Sequence, residues 1–364
     1  MKIIDRYIIK KFLGTLGFML LLLSIIVVVI DVQQKAPRIE SNGFKVNYFL
    51  VHYYPFWMIY LVITFMSILV FISVIYFTSR MANNTEIVAI ISSGASFHRF
   101  ARPYFIASGI IAVLALGINH FALPWANIKK NKLEPYTMNS VNREKVTGNT
   151  EIATRLSKNE YIFINSYNRQ EKRGSSFVYQ KYDKKSQMTY QLVANEIYWN
   201  SQQKVFVLSN FMERKAGAKD TQIIANGPEK KMNFGHSPEE LFPDEMLGQT
   251  KTTPELIKLI DQERIKGNKN LNSYLNELYQ RTSMPVSIII LSILALSLSS
   301  EKKRGGLGLN LAIGIALAFI FVFSFEALKV VSENNTLTPF VAMWLPNLVF
   351  GPIAVVLYFR RANQ

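Results

Sequence analysis

The residues that could do chemistry are few, and their spacing argues against catalysis. Four histidines, His52, His98, His120 and His236, match no His-Glu-x-x-His helix or other metal-ligand pattern. No phosphate-binding loop is present, and the glycines of GGLGLN (305–310) miss the dinucleotide fingerprint because Leu311 stands where its last glycine belongs. SSGAS (92–96) is not a nucleophile elbow. With no cysteine in 364 residues, disulfides and thiolate metal sites are excluded. Any work driven by nucleotide would therefore draw on a partner.

Four other features have types and spacing that could bind. In NNTEIVAIISSGASFHRF (83–100), Asn83 reads as an N-cap with Glu86 three residues on, and Ile87, Ile90 and Ile91 form one apolar face. Gly94 is a natural terminator. A helix of this kind rests on lipid or docks into a protein, and an acid beside its apolar face favours the protein. Lys35 and Arg38, with Asp31 and Lys45, follow the first apolar run, and Lys129, Lys130 and Lys132 follow the third. These bases either snorkel to headgroups or hold phosphate and carboxylate groups of an amphiphile through charge-assisted hydrogen bonds. Glu326 and Lys329, three apart in the fifth run, could pair on one helix face or contact substrate. An acid there costs about 2.5–3.5 kcal/mol on insertion scales, so it should face protein or a cavity. In the last run Pro346 and Pro352 invite kinks and Asn347 can bond across helices, which reads as packing.

The elements that position these residues follow from the apolar runs. Six stand out, at 12–30, 56–77, 104–123, 284–298, 307–331 and 340–359. About 20 helical residues cross a bilayer core, so five suffice as they stand and the fourth must borrow flanking polar residues or tilt. The first is long for a signal peptide and DVQQKAPR after it is a poor cleavage site, which predicts an uncleaved span. Lys2, Arg6, Lys10 and Lys11 precede span one, and Arg80, Arg99 and Arg102 lie between spans two and three. Lys302, Lys303 and Arg304 separate spans four and five, and Arg360 and Arg361 follow span six. Six spans place all four clusters on one face, which the positive-inside rule makes cytoplasmic, together with both termini.

The net charge of +16 divides accordingly, with 25 Lys and Arg against 18 Asp and Glu between Pro124 and Arg281 and the rest concentrated beside the spans. That distribution speaks for topology rather than nucleic acid. Between spans three and four, alternating runs at 160–167, 175–183, 191–199, 204–214 and 221–227 predict strands of a β-sandwich or jellyroll. From Thr253 the pattern turns helical, with Thr-Pro as cap and first turn, and NLNSYLNELYQR leads into span four. The expected organisation is spans one to three over 1–123 with a short helix at 83–94, an external β domain over 124–252, a helical connector over 253–281 and spans four to six over 282–364.

IIDRYIIKKFLGT, NTEIVAIISSGAS, LNELYQRTSMPVS and WLPNLVF, in this order and topology, resemble the LptF/LptG family of lipopolysaccharide-export permeases. The IDRYIIKKF start and compact external domain look more like LptG than LptF. The resemblance implies a non-catalytic permease subunit of an ABC transporter, with six transmembrane helices and an all-β periplasmic jellyroll between helices three and four. It implies an LptF-like partner, two LptB-like ATPase subunits carrying ATP and Mg, and an LptC-like protein outside. The short helix becomes the coupling helix, whose acid is Glu86, and Lys35, Arg38, Lys129 and Lys130 occupy places where family members hold lipid A phosphates or core sugars. Lys132 and Glu326 join them as candidate substrate contacts on their own positions in the sequence, not through the resemblance. The remaining alternatives are another envelope lipid or lipoprotein exporter, and a membrane scaffold that transports nothing.

Overall fold

A computed structural model describes residues 2–138, 150–169, 171–185, 187–216, 221–242, 247–266, 271–301 and 306–363. Six of its helical segments are long and apolar enough to cross a membrane. They are α1 (Ile3–Ser41), α3 (Tyr54–Asn83), a segment in which α5 (Phe97–Gly117) passes through a π-helical turn (Ile118–Ala122) into α6 (Leu123–Leu133), α10 (Leu271–Ser299), α11 (Gly306–Glu333) and α12 (Pro339–Ala362). Between them lie α2 (Val46–His52) and α4 (Glu86–Ser92).

Each helix outruns its apolar stretch, because a helix need not stop where hydrophobicity does. DVQQKAPR is helical in α1 even though Pro37, just before the last turn, has no N–H to offer the Gln33 carbonyl. The short fourth run sits inside the 29 residues of α10, continuous with LNSYLNELYQR. Lys129, Lys130 and Lys132 belong to α6, the extension of the third span, rather than to the start of a β domain.

Helix α10 is the hub, packed on α3, α5, α11 and α12. Polar side chains tie its neighbours to it, as lipid tails provide little hydrophobic drive between helices. Ser67 and Ser287 hydroxyls meet at 2.6 Å, and Asn347 Nδ2 donates to the Ser283 carbonyl at 2.8 Å. Asn310 Nδ2 bonds Ser79 Oγ at 3.1 Å, joining α11 to α3. In contrast, only 6% of the apolar window of α1 is buried, so this span is loosely held.

Strands β1 (Thr150–Ser157), β2 (Glu160–Asn168), β3 (Arg173–Tyr182), β4 (Met188–Asn200), β5 (Val205–Ala216) and β6 (Thr221–Met232) form one antiparallel sheet in chain order. The described strands thus make a meander in a single sheet, not the two-sheet sandwich that alternation also allowed. Ile162, Ile164, Phe177, Tyr179, Leu192, Ala194, Phe206 and Leu208 bury one face, covered by Leu241 and Phe242 at α7 (Pro238–Leu241). Pro228 sits in the edge strand β6, where its missing N–H breaks no ladder.

The chain returns through α8 (Leu247–Thr250) and α9 (Thr253–Lys266). Glu255 accepts from both the N–H and the hydroxyl of Thr252, each at 2.8 Å, so the cap lies one residue before Thr253. Leu256, Leu259 and Ile260 of α9 pack on Tyr274 of α10, and α9 also touches β1.

Candidate functional sites at the two ends of the helical bundle

At the end that carries both termini, α4 lies against α1. Thr85 before it adopts φ 59°, an unfavourable left-handed conformation for a β-branched residue, and Asn83 belongs to α3 and does not cap. The turn places Glu86 over α1, where its carboxylate accepts from Tyr7 Oη at 2.8 Å, Lys11 Nζ at 3.0 and 3.1 Å and Asn84 Nδ2 at 3.3 Å. Burial pushes the carboxyl pKa up, but the bonds from Tyr7, Lys11 and Asn84 outweigh it and hold the group below its ordinary value. Lys11 Nζ also lies 4.4 Å from the Tyr7 ring centroid. The acid anticipated as a partner contact is thus engaged within the chain.

The apolar face of α4 divides differently from its spacing. Ile87 is buried and Ile90 packs against the bundle core, so these two anchor the helix, while Val88 and Ile91 are exposed. Gly94 ends the helix at φ 89°, its N–H bonding the Ile91 carbonyl at 2.9 Å. Nearby, Arg99 grips buried Asp5 with both amino groups, at 2.6 and 2.8 Å, tying α5 to α1. Tyr7 and Lys11 were missed as site residues, although their i,i+4 spacing already sets them on one helix face. Arg6, Lys10, Arg80, Arg102 and Arg360 are exposed at this end, whereas Lys302, Lys303 and Arg304 lie outside the described residues.

At the opposite end, toward the sheet, the basic residues fall into two groups. Lys35 pairs with Asp31 at 3.0 Å and lies 5.6 and 5.5 Å from the Tyr53 and Trp57 rings, while Tyr54 Oη donates to the same aspartate at 2.9 Å. Lys130 is only 5% exposed, pairs with Glu134 at 3.2 Å and sits 4.4 Å from the Tyr60 ring. Trp57 and Tyr60 of α3, with Tyr53 just before it, thus seat both lysines, with charge and quadrupole acting together. Arg38, Lys129 and Lys132 are exposed among the described residues.

Glu326 and Lys329 do not pair with each other, and Glu326 is exposed on α11. Both line a small, partly open cavity between α3, α6, α10 and α11, together with Tyr60, Asn127, Gln280 and Arg281. Buried Arg281 is held by Glu277 at 3.0 Å, Thr253 Oγ1 at 3.0 Å and the carbonyls of Gly248 and Lys251 at 3.1 and 2.9 Å. That fork fastens the segment returning from the sheet to α10. The histidines are scattered: His52 meets the Tyr48 carbonyl, His98 the Tyr358 hydroxyl and His120 the Thr253 hydroxyl.

Six membrane-length helices, with one antiparallel sheet inserted between the third and fourth, define a multi-pass membrane protein whose polar clusters gather at the two ends of its bundle. The chain belongs to the family of lipopolysaccharide export system permeases LptF/LptG, whose pattern matches residues 6–360. That range takes in all six spans and the sheet. No curated protein is similar enough to count as a match.

Proposed function

We propose that the chain is one permease subunit of an ATP-driven exporter that takes lipopolysaccharide from the outer leaflet of the inner membrane. The sheet then passes it to a periplasmic bridge. Basic residues crowd the end that carries the termini, which the positive-inside rule assigns to the cytoplasm, leaving the sheet periplasmic. The IDRYIIKKF start supports an LptG-like subunit.

The observation that carries this reading is the tie between α4 and α1. A seven-residue helix, anchored by Ile87 and Ile90, offers Val88 and Ile91 outward, and its acid is bonded to the span least buried in the bundle. A partner ATPase, carrying ATP and Mg, would push on α4, and Glu86 would pass that displacement through Tyr7 and Lys11 into α1. Exposed Phe18, Leu22, Ile25 and Val29 of α1, with Phe319 and Phe323 of α11, supply apolar walls for acyl chains and for an LptF-like second subunit. Exposed Arg38, Lys129 and Lys132 stand at the outer end for phosphates or sugars, and an LptC-like protein would join the sheet.

Purification with co-expressed neighbours, followed by mass identification and lipopolysaccharide release from vesicles, tests this. A two-copy ATPase and a second six-span subunit should co-purify, and Val88→Asp with Ile91→Asp should abolish ATP-dependent release. Release that survives both substitutions, or a chain that binds no ATPase, defeats the reading.

A further inference from the structure

The cavity between α3, α6, α10 and α11 has a chemistry of its own. It is a small recess, partly open to its surroundings, with room for a headgroup-sized ligand and not for the acyl chains of a lipopolysaccharide. Its lining holds acceptors that lack donors. Asn127 is 1% exposed, and nothing among the described residues donates to its Oδ1 or to the buried Oε1 of Gln280. The Glu326 carboxylate, at the rim, has no hydrogen-bond or ion-pair partner there either, and neither has the Lys329 ammonium. Glu277 and Arg281 neutralise each other at 3.0 Å.

We infer that this cavity binds a primary ammonium carried beside an anionic phosphate, the chemistry of a phosphoethanolamine group. A primary ammonium has three N–H donors, matching the Asn127, Gln280 and Glu326 acceptors, and Lys329 answers the phosphate. An unpaired charge of each sign on a membrane-spanning helix is costly, and a zwitterionic ligand removes both costs at once. The group can come from a membrane phospholipid or from a soluble phosphoethanolamine. The inference does not depend on the export reading above.

The full chain is purified in detergent with equal amounts of phosphatidylethanolamine, phosphatidylcholine and phosphatidylglycerol of the same acyl composition, and retained lipid is counted by native mass spectrometry. Choline keeps the charge but has no N–H, so it isolates the three acceptors. Phosphatidylethanolamine should be retained about tenfold over phosphatidylcholine, and Glu326→Gln and Gln280→Leu should each bring the ratio toward unity. A parallel arm adds free phosphoethanolamine: displacement of the lipid at matched concentration assigns a soluble source, and persistence of the lipid assigns the membrane. Equal retention of the ethanolamine and choline lipids together with no capture of free phosphoethanolamine, or ratios unchanged in the variants, overturns the inference. Should Gln280→Leu fail to fold, Glu326→Gln at the exposed rim still decides it.

Discussion

Lys11 Nζ stands 3.0 Å from Glu86 Oε2, so the first span holds the short helix that follows the second. The two residues are 75 positions apart in the chain. The pair matters because its ends differ in how firmly they are packed: α4 is pinned by Ile87 in the core, whereas α1 is hardly buried along its apolar window. A displacement of α4 therefore meets least resistance in α1.

Lys11→Met or Glu86→Gln should separate stability from coupling. The pair is 30% and 26% exposed, and such pairs contribute about 1 kcal/mol or less. Thermal unfolding should shift little, while ATP-dependent lipopolysaccharide release should fall severalfold. A large melting shift with unchanged release would make the pair purely structural.

The same tie has a defined pH dependence. The Glu86 carboxyl is held below its ordinary value, so its contribution is complete above the unfolded carboxylate pKa of about 4.3 and is lost as pH falls through the lower folded value. Hydrogen-exchange protection of α4, after correction for intrinsic exchange, should be flat across neutral and mildly acidic pH and decline only in strong acid. A decline near pH 6.5 would instead assign the titration to a histidine.

Arg281 is 2% exposed and makes four hydrogen bonds to Glu277, Thr253, Gly248 and Lys251. Arg281→Met leaves Glu277 without its cation and should cost about 3–5 kcal/mol. Arg281→Lys should recover only part of it, because an ammonium cannot reproduce the planar fork. Thermal unfolding of the two variants checks the order.

In the sheet, a Cβ on Gly174 would come within 2.8 Å of Ile164 Cγ2, 3.0 Å of Tyr167 Cδ2 and 3.2 Å of Ile197 Cγ2. These neighbours are buried and cannot all give way, so Gly174→Ala should cost about 1–3 kcal/mol. A chemical-denaturation midpoint unchanged from wild type would refute this packing.

Photo-crosslinkers at the outer bases should sort into two groups. Positions Arg38, Lys129 and Lys132 are open and should capture lipopolysaccharide, whereas Lys35 and Lys130, already seated on aromatic rings and paired with acids, should capture little. Equal capture at all five positions would show that the internal pairs open during transport.

The sequence alone determined the parts of this protein that depend on local period and length. Six spans were legible because about 20 apolar residues have no other stable use, and strands β2 to β6 because alternation of period two is strong in them. Strand β1 was missed: TEIATRLS carries two charges and only Ile152 and Leu156 as large apolar residues, and its pairing with β2 makes it a strand. The family motifs were legible too, and the match over 6–360 agrees with them.

Tertiary structure decided the rest. Ile87, Ile90 and Ile91 share a helical spacing, yet the docking of α4 sends the first into the core and leaves the last outside. Lys129 and Lys130 are neighbours of one type, and the facing Tyr60 and Glu134 make the second a buried cation while the first stays exposed. Glu86 could be read as an acid on a short helix, but its donors, Tyr7 and Lys11, come from a span more than 70 residues earlier. Contacts between such distant positions are set by how whole helices pack, and no local pattern encodes that.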